Sequence, residues 1–157
     1  MHLCLVSFNS LKAIKMKKLS LMMVGAMVTS LTFAQKMQEE AVPSLVKNAF
    51  HKQFPNIMKV KWEKEEENFE ASYHMNKIDH SAVFDAQGHL LETEVEIETN
   101  QLPNEVLDYM KTNYKDQLIK EAAKITDGKN IITFEVEIKG MDLFFESNGK
   151  FIKEIKN

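Results

Sequence analysis

Arginine is missing from all 157 residues, and the twenty basic side chains are lysines. Without a planar guanidinium the chain lacks the fork that grips phosphate or carboxylate bidentately, which weighs against a nucleotide or nucleic-acid site. There is one cysteine, Cys4, close to the start. Disulfides therefore contribute nothing to the rest of the chain, and no thiol nucleophile is available in it. The five glycines are scattered, so no phosphate-cradling loop can be written, and the sequence contains no GxSxG, no HExxH, no paired-cysteine set and no DxDxDG calcium loop. Nucleophilic catalysis and the common metal motifs lose their support together.

What is present begins with a leader. The stretch MKKLSLMMVGAMVTSLTFAQ opens at Met16 with Lys17 and Lys18, runs through apolar residues from Leu19 to Val28, and reaches Thr32-Phe33-Ala34 before Gln35. A basic start, a short apolar centre and small residues at the third and first positions before a cut after Ala34 make a secretory signal. The uncharged run from Leu19 to Gln35 is 17 residues and is diluted by Gly, Ser and Thr, which is at the lower edge of what spans a bilayer. Residues 1–34 are therefore expected to be a leader, with Met16 as an alternative start. Cys4 lies ahead of the apolar run, with the wrong neighbours for a lipoprotein cut. The chain is expected to be exported, to the periplasm first and to the cell surface or medium otherwise, without stable membrane insertion after cleavage. The leader holds four lysines and no acid, so residues 35–157 carry 16 lysines against 23 acids, a net charge of −7. Such a balance disfavours nucleic acid and anionic lipid as partners.

Residues 35–157 are read as one domain of two repeats, about 42–98 and 102–156. In VPSLVKNAFHKQFP, apolar residues at Val42, Leu45, Val46, Ala49, Phe50 and Phe54 trace one helical face, with Pro43 suited to the first turn and Pro55 ending it. In LPNEVLDYMKTNY, Leu102, Val106, Leu107, Met110 and Tyr114 trace a similar stripe behind Pro103. Strand signals follow each helix. Met58, Val60 and Trp62 alternate with lysines and an acid, Phe69, Ala71, Tyr73 and Met75 alternate with Glu70, Ser72 and His74, and Leu91, Thr93, Val95 and Ile97 alternate with Glu92, Glu94, Glu96 and Glu98. Period two marks half-buried strands. LIKEAAKIT, IITFEVEIKG, MDLFFESNG and KFIKEI are the counterparts in the second half, and FDAQG and FESNG are matched turns 61 residues apart. The expected fold class is α+β, a tandem repeat of one helix plus a four-stranded antiparallel meander, both helices on one face of the sheet and the other face open to solvent.

The order of a proline-led helix, an aromatic ending, charged-apolar strands and a final FESNGKFIKE resembles the PepSY-like, beta-lactamase-inhibitor-like family of small exported bacterial proteins. Gln87-Gly88 and Asn148-Gly149 occupy the place of that family's acid-glycine turn, and the resemblance runs from Val42 to Lys156. It implies a helix-and-meander tandem fold, a binding or inhibitory role in the envelope, and no catalytic residue. HMNKIDHS departs from the pattern, lacking the usual glycine between the second and third strands.

Three groups of residues invite a chemical reading. His74 and His80, with Glu70 or Asp79, make a candidate zinc-like set, although their spacing matches no ligand motif and the second half has no histidine. The glutamate ladder from Glu92 to Glu98 reads as a solvated sheet face neutralised by Lys59, Lys61 or Lys153 on neighbouring strands, and as a recognition surface for a basic partner where it is not neutralised. Phe144, beside Phe145, points away from the helices and is a candidate contact anchor. The expectation is a non-enzymatic binding or inhibitor-like module, with no cofactor, no catalytic residue and no metal. Its partner, another envelope protein or peptide, would meet Ser72, His74, Glu94, Glu96 and Phe144 on the open sheet face. The alternative is a periplasmic small-ligand or metal-binding protein using His74, His80 and nearby acids.

Overall fold

Two short helices set the architecture. In a computed structural model that describes residues 35–157, helix α1 spans Ser44–Gln53 and α2 spans Asn104–Asn113; the expected leader lies outside the described residues. Each helix starts behind a proline, Pro43 at φ −54° and Pro103 at φ −53°, angles already suited to the first turn. Each closes on an aromatic residue, Phe54 donating its N–H to the Phe50 carbonyl and Tyr114 to the Met110 carbonyl, both at 2.8 Å. Val42, Val46 and Phe50 are buried from the first, and Leu102, Val106 and Met110 from the second. The burial pattern of residues 41–50 is reproduced position for position in 101–110. Leu45, expected on the buried stripe, is 61% exposed. Its counterpart 60 residues on is Glu105, which is exposed as well, so this position faces solvent in both helices.

The strands are β1 (Gln35–Met37), β2 (Lys61–Glu65), β3 (Asn68–Met75), β4 (Ile78–Phe84), β5 (Leu90–Ile97), β6 (Glu121–Asp127), β7 (Ile132–Ile138), β8 (Met141–Glu146) and β9 (Phe151–Lys156). They form one nine-stranded sheet in chain order, every neighbouring pair antiparallel. Ahead of the first expected repeat lies β1, whose Met37 stands opposite Trp62. Three residues of Gln, Lys and Met give no alternation to detect. The strands that follow each helix also start later than the sequence suggested, leaving Met58 89% and Leu118 86% exposed. Pairing of Ile97 with Ala122 sits 60 residues beyond that of Met37 with Trp62. β5 is thus the last strand behind α1 and also stands to β6 as β1 stands to β2.

Both helices pack on the same side of the pleat. Phe50 meets Trp62, Tyr73 and Phe84 edge-on, with ring centroids 5.5, 5.5 and 6.3 Å away. Val106 and Met110 pack with Ala122, Val136, Leu143 and Phe145 in a second cluster. Edge-to-face aromatic contacts add to the burial of large apolar area.

The matched turns explain their own repetition. Gly88 and Gly149 have φ of +83° and +84°, a region that only glycine enters without strain. A Cβ on Gly88 would come within 2.8 Å of the Leu45 carbonyl oxygen, and one on Gly149 would overlap the Glu105 Cβ. Each glycine thus turns the chain and lets a helix approach that turn. Where HMNKIDHS lacks a glycine, Asn76 and Lys77 both take positive φ, +55° and +68°, which closes the two-residue β3–β4 hairpin in the sense that matches strand twist.

Gly88→Ala and Gly149→Ala are expected to lower unfolding free energy by on the order of 2 kcal/mol in urea titrations, combining strained φ with a displaced helix. Gly140→Ala, at φ +76° but with no atom within 4 Å of the new Cβ, is expected to cost about 1 kcal/mol or less. Equal losses at all three sites would show that helix contact plays no part. Lys77→Gly is expected to stabilise by roughly 0.5–1 kcal/mol through relief of the left-handed backbone, and destabilisation would refute that reading of the turn.

Candidate functional site

The pleat sends alternate side chains of every strand to the side that neither helix covers. β3 contributes Glu70, Ser72 and His74; β5 contributes Glu92, Glu94 and Glu96; β8 contributes Asp142 and Phe144. Ser72 lies opposite Ser81, which lies opposite Glu94. Glu96 shares a cross-strand row with Ala123, Glu135, Phe144 and Lys153. The five residues singled out from sequence, Ser72, His74, Glu94, Glu96 and Phe144, are therefore all on this face.

The face is not the solvent-open surface expected of it. Ser72 is 4%, Glu92 6%, Asp142 4% and Phe144 2% exposed, whereas His74 and Glu96 are exposed and Glu94 is half-buried. Curvature is the physical reason. Glu92 on β5 feels the charge of Lys153 on β9, and Glu65 on β2 feels Glu92. At about 4.8 Å per strand, flat-sheet separations would be roughly 19 and 14 Å, beyond the range in which charges escape salt screening. The sheet is rolled toward this side. Each half supplies a bulge that promotes the roll, at Leu91 between the Val83–Glu92 and Phe84–Leu90 pairs and at Ile152 between the Phe144–Lys153 and Phe145–Phe151 pairs. Phe144 does point away from the helices, but into the roll. Its ring lies under the Lys153 ammonium at 4.9 Å, a cation–π contact in place of the exposed anchor expected.

The glutamate ladder is neutralised only in part, by the charge of Lys153 acting on Glu92. Opposite Glu92 stand Val83 and Asp127, opposite Glu94 stand Ser81 and Ile125, and opposite Glu96 stands Ala123; no lysine faces the ladder directly. Glu98 leaves it altogether, lying past β5 with its N–H bonded to the Gln101 side-chain oxygen at 2.8 Å. Burial, reinforced by neighbouring carboxylates, then pushes the acids up. Glu70 and Glu92 rise from 4.5 to about 7 and Glu65 to about 8, while Glu94 rises well above its ordinary value. Ser72 donates a hydrogen bond to Glu70 at 3.4 Å. Glu92 Oε1 and Asp142 Oδ1 are shut off from solvent with no hydrogen-bond partner among the described residues.

The alternative metal set does not assemble. His74 lies opposite Asp79 and is ion-paired with it, so His80, the next residue along, is turned to the helix side. There it stacks on Tyr73 at 5.3 Å, its pKa lowered by burial. Among the described residues no three His, Cys, Asp or Glu side chains gather as a metal site. Glu135, Glu137 and Asp142 belong to the face but were not singled out from sequence, and Glu70 was read there only as a possible third ligand to His74 and His80. The signal was there, in the alternation of FEVEIKGMDLFFE that repeats the pattern of the ladder.

A sequence profile described as beta-lactamase-inhibitor-like, PepSY-like matches residues 32–91 and again 71–153. Among solved structures the chain is similar to a protein of Bacteroides eggerthii, with a TM-score of 0.67 and 14% identity over 73% of this chain and 88% of that one. It is also similar to a DUF2874 family protein of Bacteroides uniformis, at 0.66 and 20% over 73% and 88%. A BLIP-like protein of Bacteroides fragilis is similar at 0.59 and 25%, over 73% and 86%. The first two likenesses are of fold. No curated protein matches the chain. No helix among the described residues is long and apolar enough to cross a membrane.

The raised carboxyls make a sign-definite prediction. With native values of about 7 to 8 against 4.5 for an unfolded glutamate, the native state holds more protons. The corresponding stability is complete below about 4.5 and is lost as pH rises through about 7 to 8. The melting temperature is expected to fall by roughly 5–10 °C between pH 5 and pH 8. Glu92→Gln should flatten that slope and stabilise the protein at pH 8 by on the order of 2 kcal/mol. A melting temperature that rises over this range, or a Glu92→Gln profile parallel to wild type, would contradict the assignment.

Proposed function

Because the chain belongs to the beta-lactamase-inhibitor-like, PepSY-like family, we propose that it is a non-enzymatic protein of the cell envelope that binds another protein or peptide on the helix-free face of its sheet. One observation carries the reading. The two helices occupy one side of the sheet, and the other gathers polar and acidic side chains whose buried oxygens include some without a partner. Desolvated groups of this kind destabilise a fold that needs only to fold and are a hallmark of functional faces. The PepSY-like similarity and the BLIP-like neighbour agree with a binding role.

Export is part of the proposal, resting on the leader signature of residues 16–34; the B. eggerthii neighbour is named for the periplasm. So is the division of residues 35–157 into two repeats, about 42–98 and 102–156, supported by the double match of the family profile. In this reading His74 and Glu96 form the accessible rim, Ser72 and Glu94 line the interior, and Phe144 shapes the floor by packing.

Hydrogen–deuterium exchange on the exported protein, alone and with partners retained from an envelope extract, tests the reading. Amides of β3, β5 and β8 are expected to slow on binding while α1 and α2 do not change. His74→Ala together with Glu96→Ala is expected to reduce recovery of the partner several-fold, whereas Leu45→Ala on the outer side of α1 leaves it intact. Protection confined to the helices would move the function to the opposite side.

A further inference from the structure

Resting on that reading of the face, we propose that its occupant is a cationic segment, an extended stretch of another envelope protein that inserts lysine or arginine side chains into the acidic trough. Four observations lead there.

The face keeps acceptor capacity in reserve at two places, on β5 and on β8. Glu92 and Asp142 are 6% and 4% exposed, and each has a carboxylate oxygen without a hydrogen-bond partner among the described residues. Such an oxygen is costly to leave unmatched, and a donor carrying positive charge is its strongest match.

The trough already accepts ammonium groups of this chain. Lys153 sits over the Phe144 ring at 4.9 Å, and Lys120 reaches the buried Glu137 carboxylate at 3.0 Å. Two internal cations thus display the two contacts an external one would make, with an aromatic face and with a buried carboxylate.

Shape selects among cations. The acids at the floor are only a few per cent exposed, so the charge must arrive on a slender stem, which lysine and arginine supply. A bare metal ion meets no cluster of three ligands among the described residues. An acidic segment would be repelled by carboxylates on neighbouring strands.

Composition completes the match. Residues 35–157 carry a net charge of −7, a balance that complements a cationic partner and disfavours an acidic one.

Fluorescence anisotropy with three labelled twelve-residue extended peptides tests this, using the exported protein. One peptide alternates lysine with alanine, the second replaces lysine by glutamine, and the third replaces lysine by glutamate. The lysine peptide is expected to bind saturably, at least about tenfold more tightly than the glutamine peptide, and to weaken as salt is raised from 50 to 300 mM. The glutamate peptide should not bind. Glu92→Gln with Asp142→Asn is expected to weaken the lysine peptide at least about tenfold. Glu105→Gln with Asp108→Asn, which removes the same charge from the exposed side of α2, should change it less than about twofold. Equal binding of lysine and glutamine peptides, equal losses in the two double variants, or calcium or zinc alone saturating the trough and displacing the lysine peptide would each overturn the proposal. Failure of the lysine peptide, with envelope partners still protecting β3, β5 and β8, would sink the cationic assignment and leave the binding face standing. Protection by the lysine peptide confined to the helices would overturn both.

Discussion

An antiparallel sheet has two faces, and the described part of this chain has helices for only one of them. Everything else follows from how the second face is managed. Period-two strands send half their side chains to each side. On the helix side this is simple, because Val46, Phe50, Val106 and Met110 meet an aromatic and aliphatic surface and the hydrophobic effect secures both helices. On the other side the strands carry glutamates, aspartates and serines. The sheet rolls toward that side, which brings carboxylates from strands far apart in order within reach of one another. Burial and mutual repulsion then hold several of them near neutrality in their protonation. The roll that gives the face its shape thereby opposes the stability of the groups lining it.

The doubled plan is a packing solution as much as a pattern. One short helix on a few strands leaves two edges and a small core. Pairing β5 with β6 removes two edges at once and leaves β5 flanked on both sides. The glycine turns at Gly88 and Gly149 seat each helix at its N-terminal end against the last hairpin of its half, β4–β5 or β8–β9. The bulges at Leu91 and Ile152, again 61 apart, add curvature at matched places. A smooth roll over nine strands is the sum of such matched increments.

Much of this could be read from residues one at a time. Proline-led stripes located both helices, and alternation located β3 and the acid phase of β5. What resisted was whatever depended on a neighbour. Leu45 fits an apolar stripe, yet the face actually buried is narrower, as its counterpart Glu105 makes plain. β1 is too short to announce itself and exists because β2 offers it an edge. His74 and His80 looked able to converge until the two-residue turn at Asn76-Lys77 set the register, which puts Asp79 opposite His74 and sends His80 to the other side. Phe144 was placed on the right side of its strand but in the wrong surroundings, since its burial comes from the roll and not from its own sequence neighbours.

Sequence alone determined the side of the pleat on which the alternating residues of β3 and β5 stand, the helical stripes, the turn glycines and the acidic, arginine-free composition. Those are local matters of period, backbone freedom and charge. Only the tertiary structure decided that the face without helices is rolled, that its acids are drawn out of water, and that Lys153 and Lys120 reach into it. Curvature accumulates from twist and bulges over nine paired strands, and the energy of a carboxylate depends on the charges and solvent that this curvature places around it. Neither quantity is carried by any single stretch of chain.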